Sequence, residues 1–105
     1  MTAIGKIEVP EQQIADFCRR WKITELALFG SVLRADFGPE SDVDVLISFE
    51  PDPPWTLLDQ VRMQNELEQI LGRPVDLITR EGIERSRNQF RRKEILTSAK
   101  VVYGL

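Results

Sequence analysis

The sequence predicts an α+β domain in which helices pack over a mixed β-sheet of about four strands. Apolar residues recur at helical spacing after Pro10 and again after Thr56. Short runs rich in Val, Ile and Leu lie between these helical segments, and no repeat or low-complexity linker interrupts them. A chain of 105 residues supplies one hydrophobic core, so residues 1–105 are expected to form a single domain.

Helices are predicted at three places. The first runs from about Pro10 to Lys22, with Cys18 on its apolar stripe and therefore in the core. The second begins at Thr56, where Asp59 makes a capping-box-like start, and ends at Gly72. A basic helical region follows, centred on "NQFRRKEILTSAK".

The strands are predicted to be "ITELALF", "DVDVLISF" and "PVDLIT", with "VVY" as a closing edge strand. Because side chains alternate across a strand, one face of the second strand carries only apolar residues and the other carries two carboxylates. The first face holds Val43, Val45, Ile47 and Phe49, and the second holds Asp42, Asp44, Leu46 and Ser48. In the third strand, Asp76 and Ile78 share a face.

Composition narrows the class of function. The chain is 42% hydrophobic and 30% charged with a formal net charge of -3, as in an ordinary soluble domain. This charge argues against a nucleic-acid surface over the whole molecule, so no direct nucleic-acid partner is expected. The single cysteine, the lack of a secretory signal and the lack of a long apolar run favour the cytoplasm and no membrane contact. The absence of histidine removes the commonest general base and zinc ligand.

Two aspartates in a buried strand need an explanation, because desolvating a carboxylate without a partner costs several kcal/mol. Asp42 and Asp44 lie roughly 6 to 7 Å apart along a strand, a spacing at which they can share a divalent cation. With Asp76 from a neighbouring strand, they would form an oxygen-only cluster suited to Mg²⁺ and to phosphoryl or nucleotidyl transfer. The alternative is a pair of turn and cap aspartates at the mouth of a strand.

Gly30 and Ser31 follow the first predicted strand directly. A glycine there lets a phosphate approach the backbone, the N–H groups of a following helical turn point at the anion, and Ser31 adds a hydroxyl donor. The alternative is an ordinary strand-to-helix turn with a serine cap. A P-loop is excluded, because no Gly-Lys-Ser/Thr follows at the required spacing.

The spacing of these residues is more specific than any one of them. Gly30 and Ser31 are followed by ten residues, then by Asp42, one residue and Asp44. This order resembles the GS-x10-DxD signature of the polymerase-beta-type nucleotidyltransferase superfamily. A chain this short is similar to the minimal nucleotidyltransferases, the MntA-like antitoxins found beside HEPN-domain ribonuclease toxins. The resemblance also places Asp76 at the family's third carboxylate and Arg34 at its common arginine.

The resemblance implies a nucleotidyltransferase fold and a role for each matching residue. Asp42 and Asp44 would hold Mg²⁺ on the phosphates of ATP, and Asp76 would complete a second metal site and help to deprotonate the attacking hydroxyl. The nucleotide would contact Gly30, Ser31 and Arg34. The implied reaction moves AMP from ATP to a tyrosine hydroxyl of the cognate toxin. The implied assembly is a hetero-oligomer with that toxin, and a homodimer stays open.

Two other functions remain open at this point. The first is a non-catalytic antitoxin that neutralises the toxin by binding alone, and three clustered carboxylates favour activity over this reading. The second is a nucleotidyltransferase of the aminoglycoside-modifying kind, which so small a domain disfavours. The basic stretch from Arg80 to Lys93 is either a solvated helix face or a docking surface. Trp55 is either a partner anchor or a cover for the end of the core.

Overall fold

The computed structural model describes residues 2–4, 7–30, 42–51 and 54–104, with side chains from residue 8 onward. The elements in chain order are β1 (Thr2–Ile4), β2 (Ile7–Val9), α1 (Glu11–Arg20), β3 (Ile23–Phe29), β4 (Val43–Phe49), α2 (Leu57–Leu71), β5 (Val75–Thr79), α3 (Arg80–Glu84), α4 (Gln89–Ser98) and β6 (Lys100–Tyr103). The predicted α+β class is confirmed.

The central sheet has four strands in the order β5-β4-β3-β6. Strands β4 and β5 are parallel, whereas β3 is antiparallel to both β4 and β6, so the predicted mixed sheet is confirmed. A parallel pair needs a crossover connection, and α2 provides it. Strand β6 is an edge strand, as the sequence predicts, and β1 and β2 form a separate hairpin that the sequence does not predict.

Helices cover both faces of the sheet. On one face, Phe17 of α1 and Met63 of α2 belong to a cluster with Val45 of β4. On the other face, Ile83 of α3 packs in a second cluster that includes Leu46 of β4. Neighbouring residues of β4 thus enter opposite clusters, which confirms the predicted alternation of its side chains.

The helix ends show which local signals the sequence carries. Thr56 Oγ1 accepts a hydrogen bond from the Asp59 backbone N–H at 3.4 Å, and the Thr56 N–H donates to Asp59 Oδ2 at 3.0 Å, which completes the predicted capping box. Gly72 ends α2 in the left-handed conformation at φ 69°. Helix α1 is shorter than predicted, because Pro10 adopts an extended conformation before it and the chain turns at Trp21.

The core accounts for Cys18 and Trp55. Cys18 is fully buried, as predicted, and burial raises the pKa of its thiol from 9.0 to about 12. Trp55 packs against the core with its ring centroid 5.0 Å from that of Trp21, and its indole N–H donates to the Trp21 carbonyl at 2.7 Å. Trp55 therefore covers the end of the core. In the described part of the chain, no helix combines the length and hydrophobicity needed to cross a bilayer.

Candidate functional site

The parallel pairing of β4 and β5 brings two of the predicted carboxylates together. Asp44 and Asp76 are direct partners in the ladder, so their side chains leave the sheet on the same face from strands about 4.8 Å apart. Asp44 is half-buried and Asp76 is exposed. Leu46 and Ile78, two residues further along the same strands, pack in the cluster under α3 and α4. The carboxylate pair thus lies on that face, at the end where β4 and β5 begin.

Asp42 lies directly before β4 and is exposed. The backbone N–H of Val43 donates to the Pro74 carbonyl at 2.9 Å, which fixes the start of β4 against the start of β5. Asp42 and Asp44 are two residues apart, so alternation along an extended chain directs both to one side. The structure therefore places all three predicted carboxylates at the same end of the same strand pair.

Gly30 follows β3 and adopts a left-handed conformation at φ 74°, which favours glycine. Its neighbour Phe29 is the ladder partner of Asp44. A Cβ atom added to Gly30 would overlap the Asp44 carboxylate, with Cγ of Asp44 only 3.1 Å away. The missing side chain therefore leaves room for a carboxylate of the site, a reason that the sequence alone does not supply.

Glu68 of α2 contributes to the site indirectly, and sequence reasoning does not identify it. Its Oε2 accepts a hydrogen bond from the Val75 backbone N–H at 2.9 Å. This bond ties the last turn of α2 to the first residue of β5, immediately before Asp76. A glutamate one turn before the Gly72 cap is the only local signal for this contact.

Two of the predicted nucleotide-binding residues, Ser31 and Arg34, lie outside the described residues, as does the predicted helical turn after Ser31. Their roles stay predictions. A cavity of about 420 Å³ lies at the other end of β4, where Phe49 and Trp55 line it, and none of the predicted site residues borders it. The cavity and the carboxylate pair are therefore separate features of the fold.

The donor set at the carboxylate end is made of oxygen atoms only. Within the described residues, no group of three His, Cys, Asp or Glu side chains is arranged so that it could hold a metal ion. Mg²⁺, however, is usually held by one or two carboxylates and completes its shell with water and substrate phosphates. Asp44 and Asp76, with Asp42 beside them, fit such an ion in the presence of a nucleotide.

The basic stretch divides into two groups. Arg80 pairs with Glu84 at 3.0 Å, Arg85 pairs with Glu81 at 2.6 Å, and Arg92 donates to the Glu84 carbonyl at 3.3 Å, so these three arginines have partners on α3. Arg87, Arg91 and Lys93 are exposed, and their side chains make no ion pair or hydrogen bond with other described residues. The first group fits the reading of a solvated helix face, whereas the docking role of the second group stays a prediction.

Three known proteins illustrate what the chain is similar to. Protein adenylyltransferase MntA of Thermococcus cleftensis is 35% identical over 65 residues, which is 62% of this chain and 64% of that protein. A crystal structure of a toxin-antitoxin with AMP-PNP superposes with a TM-score of 0.69 at 19% identity, covering 92% of this chain and 75% of the other. The tri-AMPylated HEPN toxin of Shewanella oneidensis in complex with MNT antitoxin gives a TM-score of 0.60 at 22% identity, covering 90% and 70%.

These likenesses differ in what they establish. The two solved structures are under 25% identical and show the shared fold. The chain matches less than two thirds of the length of MntA. The adenylyltransferase activity in the name of MntA is therefore stated of MntA alone. The family model of the nucleotidyltransferase domain matches residues 10–102 of this chain, a range that includes Gly30 and the three aspartates. The chain therefore belongs to the nucleotidyltransferase domain family.

Proposed function

We propose that this protein is an antitoxin that transfers AMP from ATP to a tyrosine hydroxyl of a HEPN-type ribonuclease toxin and thereby neutralises it. The observation that carries the proposal is the ladder pairing of Asp44 with Asp76, beside a glycine whose missing side chain leaves room for the Asp44 carboxylate. A protein that acted by binding alone would have no use for carboxylates held in this register. The names of the similar proteins support the same reaction.

Each described carboxylate has a separate task in this proposal. Asp42 and Asp44 would hold Mg²⁺ on the nucleotide phosphates, and Asp76 would help to hold a second ion. As the tyrosine oxygen bonds to the α-phosphorus, the bond to the departing pyrophosphate breaks, and the metal, when bound, would offset the negative charge on the phosphate and pyrophosphate oxygens. Asp76 is the more exposed member of the ladder pair, so an incoming hydroxyl can reach it. Its carboxylate accepts the proton of that hydroxyl. Without histidine in the chain, a carboxylate is the best available base.

The binding of the nucleotide is assigned to residues at the end of β3. The Gly30 backbone passes close to the Asp44 carboxylate, so a phosphate bound along that backbone would lie beside the metal ligands. Ser31 and Arg34 complete this set as sequence predictions. We place the reaction in the cytoplasm, where ATP and the toxin's RNA substrates are present, and we assign the whole of residues 1–105 to one catalytic domain.

The test uses purified protein, labelled ATP, Mg²⁺ and the purified product of the neighbouring toxin reading frame. Mass spectrometry is expected to find AMP on a toxin tyrosine with the wild-type protein and none with Asp44→Asn. Toxin ribonuclease activity should fall in parallel with AMP incorporation. If the wild-type protein silences the ribonuclease without adding AMP, the binding-only antitoxin is the correct reading.

A further inference from the structure

Strand β5 is an edge of the central sheet, and β4 is its only strand partner among the described residues. The Val75 N–H points away from β4, because it donates to Glu68 of α2. Backbone groups of alternate residues in a strand point to the same side, so the N–H and C=O of Leu77 also point outward. Leu77 follows Asp76 directly. With respect to the described residues, an open backbone position therefore lies next to the proposed base.

A groove of about 340 Å³ runs along this edge. Leu77 and Thr79 of β5 form its floor, and one wall comes from Gln60 of α2. The opposite wall contains Gly82, Ser86 and Arg91, from α3, the turn after it and α4. Asp76 does not line the groove, but Leu77, the residue directly after it, does. The groove offers backbone groups, small side chains and one cation.

Arg91 gives the groove a preference for negatively charged ligands. The Arg91 guanidinium is exposed and makes no ion pair or hydrogen bond with other described residues, in contrast to Arg80 of α3 and Arg85 directly after it. Arg91 belongs to the same basic stretch as Arg87 and Lys93, although the chain as a whole has a net charge of -3. An acidic group on a partner is therefore the complementary ligand for Arg91.

We propose that this groove binds the acceptor polypeptide as an extended segment that adds to β5 on the side that faces away from β4. This proposal rests on the proposed function, because it names the docking site of the protein that receives AMP. Main-chain hydrogen bonds to Leu77 would hold the segment, as in other complexes formed by strand addition. Its acceptor hydroxyl would lie at Asp76, and an acidic side chain would contact Arg91.

The spacing within the acceptor follows from the fold. Helix α4 packs on the same face of the sheet as Asp76, since Ile95 of α4 and Ile78 of β5 belong to one cluster. Side chains that face one side of an added strand are an even number of residues apart. The acidic residue of the acceptor is therefore expected two or four residues from the modified tyrosine.

The first test compares Arg91→Glu with Lys93→Glu. Both residues are exposed cations on α4 without an ion pair among the described residues, but only Arg91 lines the groove. Arg91→Glu should raise the KM for the toxin by at least about tenfold, leaving kcat and ATP affinity unchanged, while Lys93→Glu stays within about twofold of wild type. Equal effects of the two substitutions, or an equal loss of ATP affinity in Arg91→Glu, would overturn the proposal.

The second test does not depend on catalysis. Amide hydrogen exchange is measured in Asp76→Asn, alone and with the purified toxin. Slower exchange at Leu77 and Thr79 in the complex is the expected result, and unchanged exchange at both amides rejects the groove as the docking site. A wild-type protein that protects these amides without transferring AMP would leave the docking site standing and reject the proposed enzymatic function.

Discussion

Asp44 and Asp76 are opposite each other in the parallel ladder of β4 and β5, although α2 separates them in the sequence. Two carboxylates on neighbouring strands repel each other when both are ionised. A bound cation removes this repulsion, whereas water screens it only in part. A cation bound between Asp44 and Asp76 would offset this repulsion through its attraction to both carboxylates, so the proposed metal site is testable through the free energy of unfolding.

Asp42→Asn and Asp44→Asn should each remove most of the stabilisation that Mg²⁺ and ATP give to the wild-type protein. At a ligand concentration 100 times Kd, binding stabilises a folded protein by about 2.7 kcal/mol, which corresponds to a rise in Tm of about 10 °C or more for a domain of this size. Thermal unfolding with and without ligand measures the difference. Asp16→Asn, an exposed aspartate on α1, is the control and should retain the full rise. A full rise in both test variants would contradict the metal assignment.

Gly30→Ala and Gly72→Ala form a matched pair. Both glycines have positive φ, at 74° and 69°, so both substitutions carry a backbone cost of about 1 kcal/mol. A Cβ at Gly30 would overlap the Asp44 carboxylate, whereas a Cβ at Gly72 would meet nothing within 4 Å. Both variants should lose Tm by several degrees, but only Gly30→Ala should lose the response to Mg²⁺ and ATP. A normal ligand response in folded Gly30→Ala would reduce this position to an ordinary turn.

Asp76→Asn should separate binding from chemistry. The substitution keeps the shape of the side chain and removes the group that is proposed to accept the proton of the acceptor hydroxyl. We expect ATP affinity to change little and AMP transfer to fall by about 100-fold or more, the usual effect of removing a general base. Nucleotide titration and single-turnover transfer measure the two quantities. Transfer at the wild-type rate would assign the base to another group.

Cys18 makes stability depend on pH in the alkaline range. The folded protein holds the thiol pKa at about 12 against 9.0 for the unperturbed group, because the side chain is buried. Between these values the unfolded chain loses the proton and the folded chain keeps it, so the free energy of unfolding should fall as pH rises above about 9. Cys18→Ala should show a smaller fall across this range in urea titrations, and the native thiol should resist alkylation at pH 8.

The faces on which the site carboxylates lie could be predicted from the alternation of side chains within each strand. Alternation put Asp44 and Leu46 on one face and Asp76 and Ile78 on one face, and the structure agrees. It did not specify that β4 and β5 are parallel neighbours with Asp44 opposite Asp76, because pairing and register depend on how α2 packs across the sheet. The reason for a glycine at position 30 also needed the register, since the Asp44 carboxylate comes from the next strand.

The elements missed by the sequence analysis have little local signal. Helix α3 has five residues and one buried apolar side chain, Ile83, so no helical period is visible. Its cap, Thr79, is also the last residue of β5, and the N–H of Gly82 donates to Thr79 Oγ1 at 3.1 Å. Strands β1 and β2 have three residues each, which is too short for an alternation pattern to be distinguished from a loop.

The connectivity of the sheet also sets the order in which its parts open. The two aspartates of the ladder come from one continuous segment, β4-α2-β5, whereas β6 pairs with β3 from far along the chain. Strand β6 is a four-residue edge strand with Lys100 and Val101 exposed, so its amides should exchange through local opening at a lower free energy than those of β4. In that partly open form the β4-α2-β5 unit should keep its register. Fraying of the β6 edge should therefore leave the carboxylate pair assembled, so the proposed activity should survive this local opening although global unfolding would abolish it.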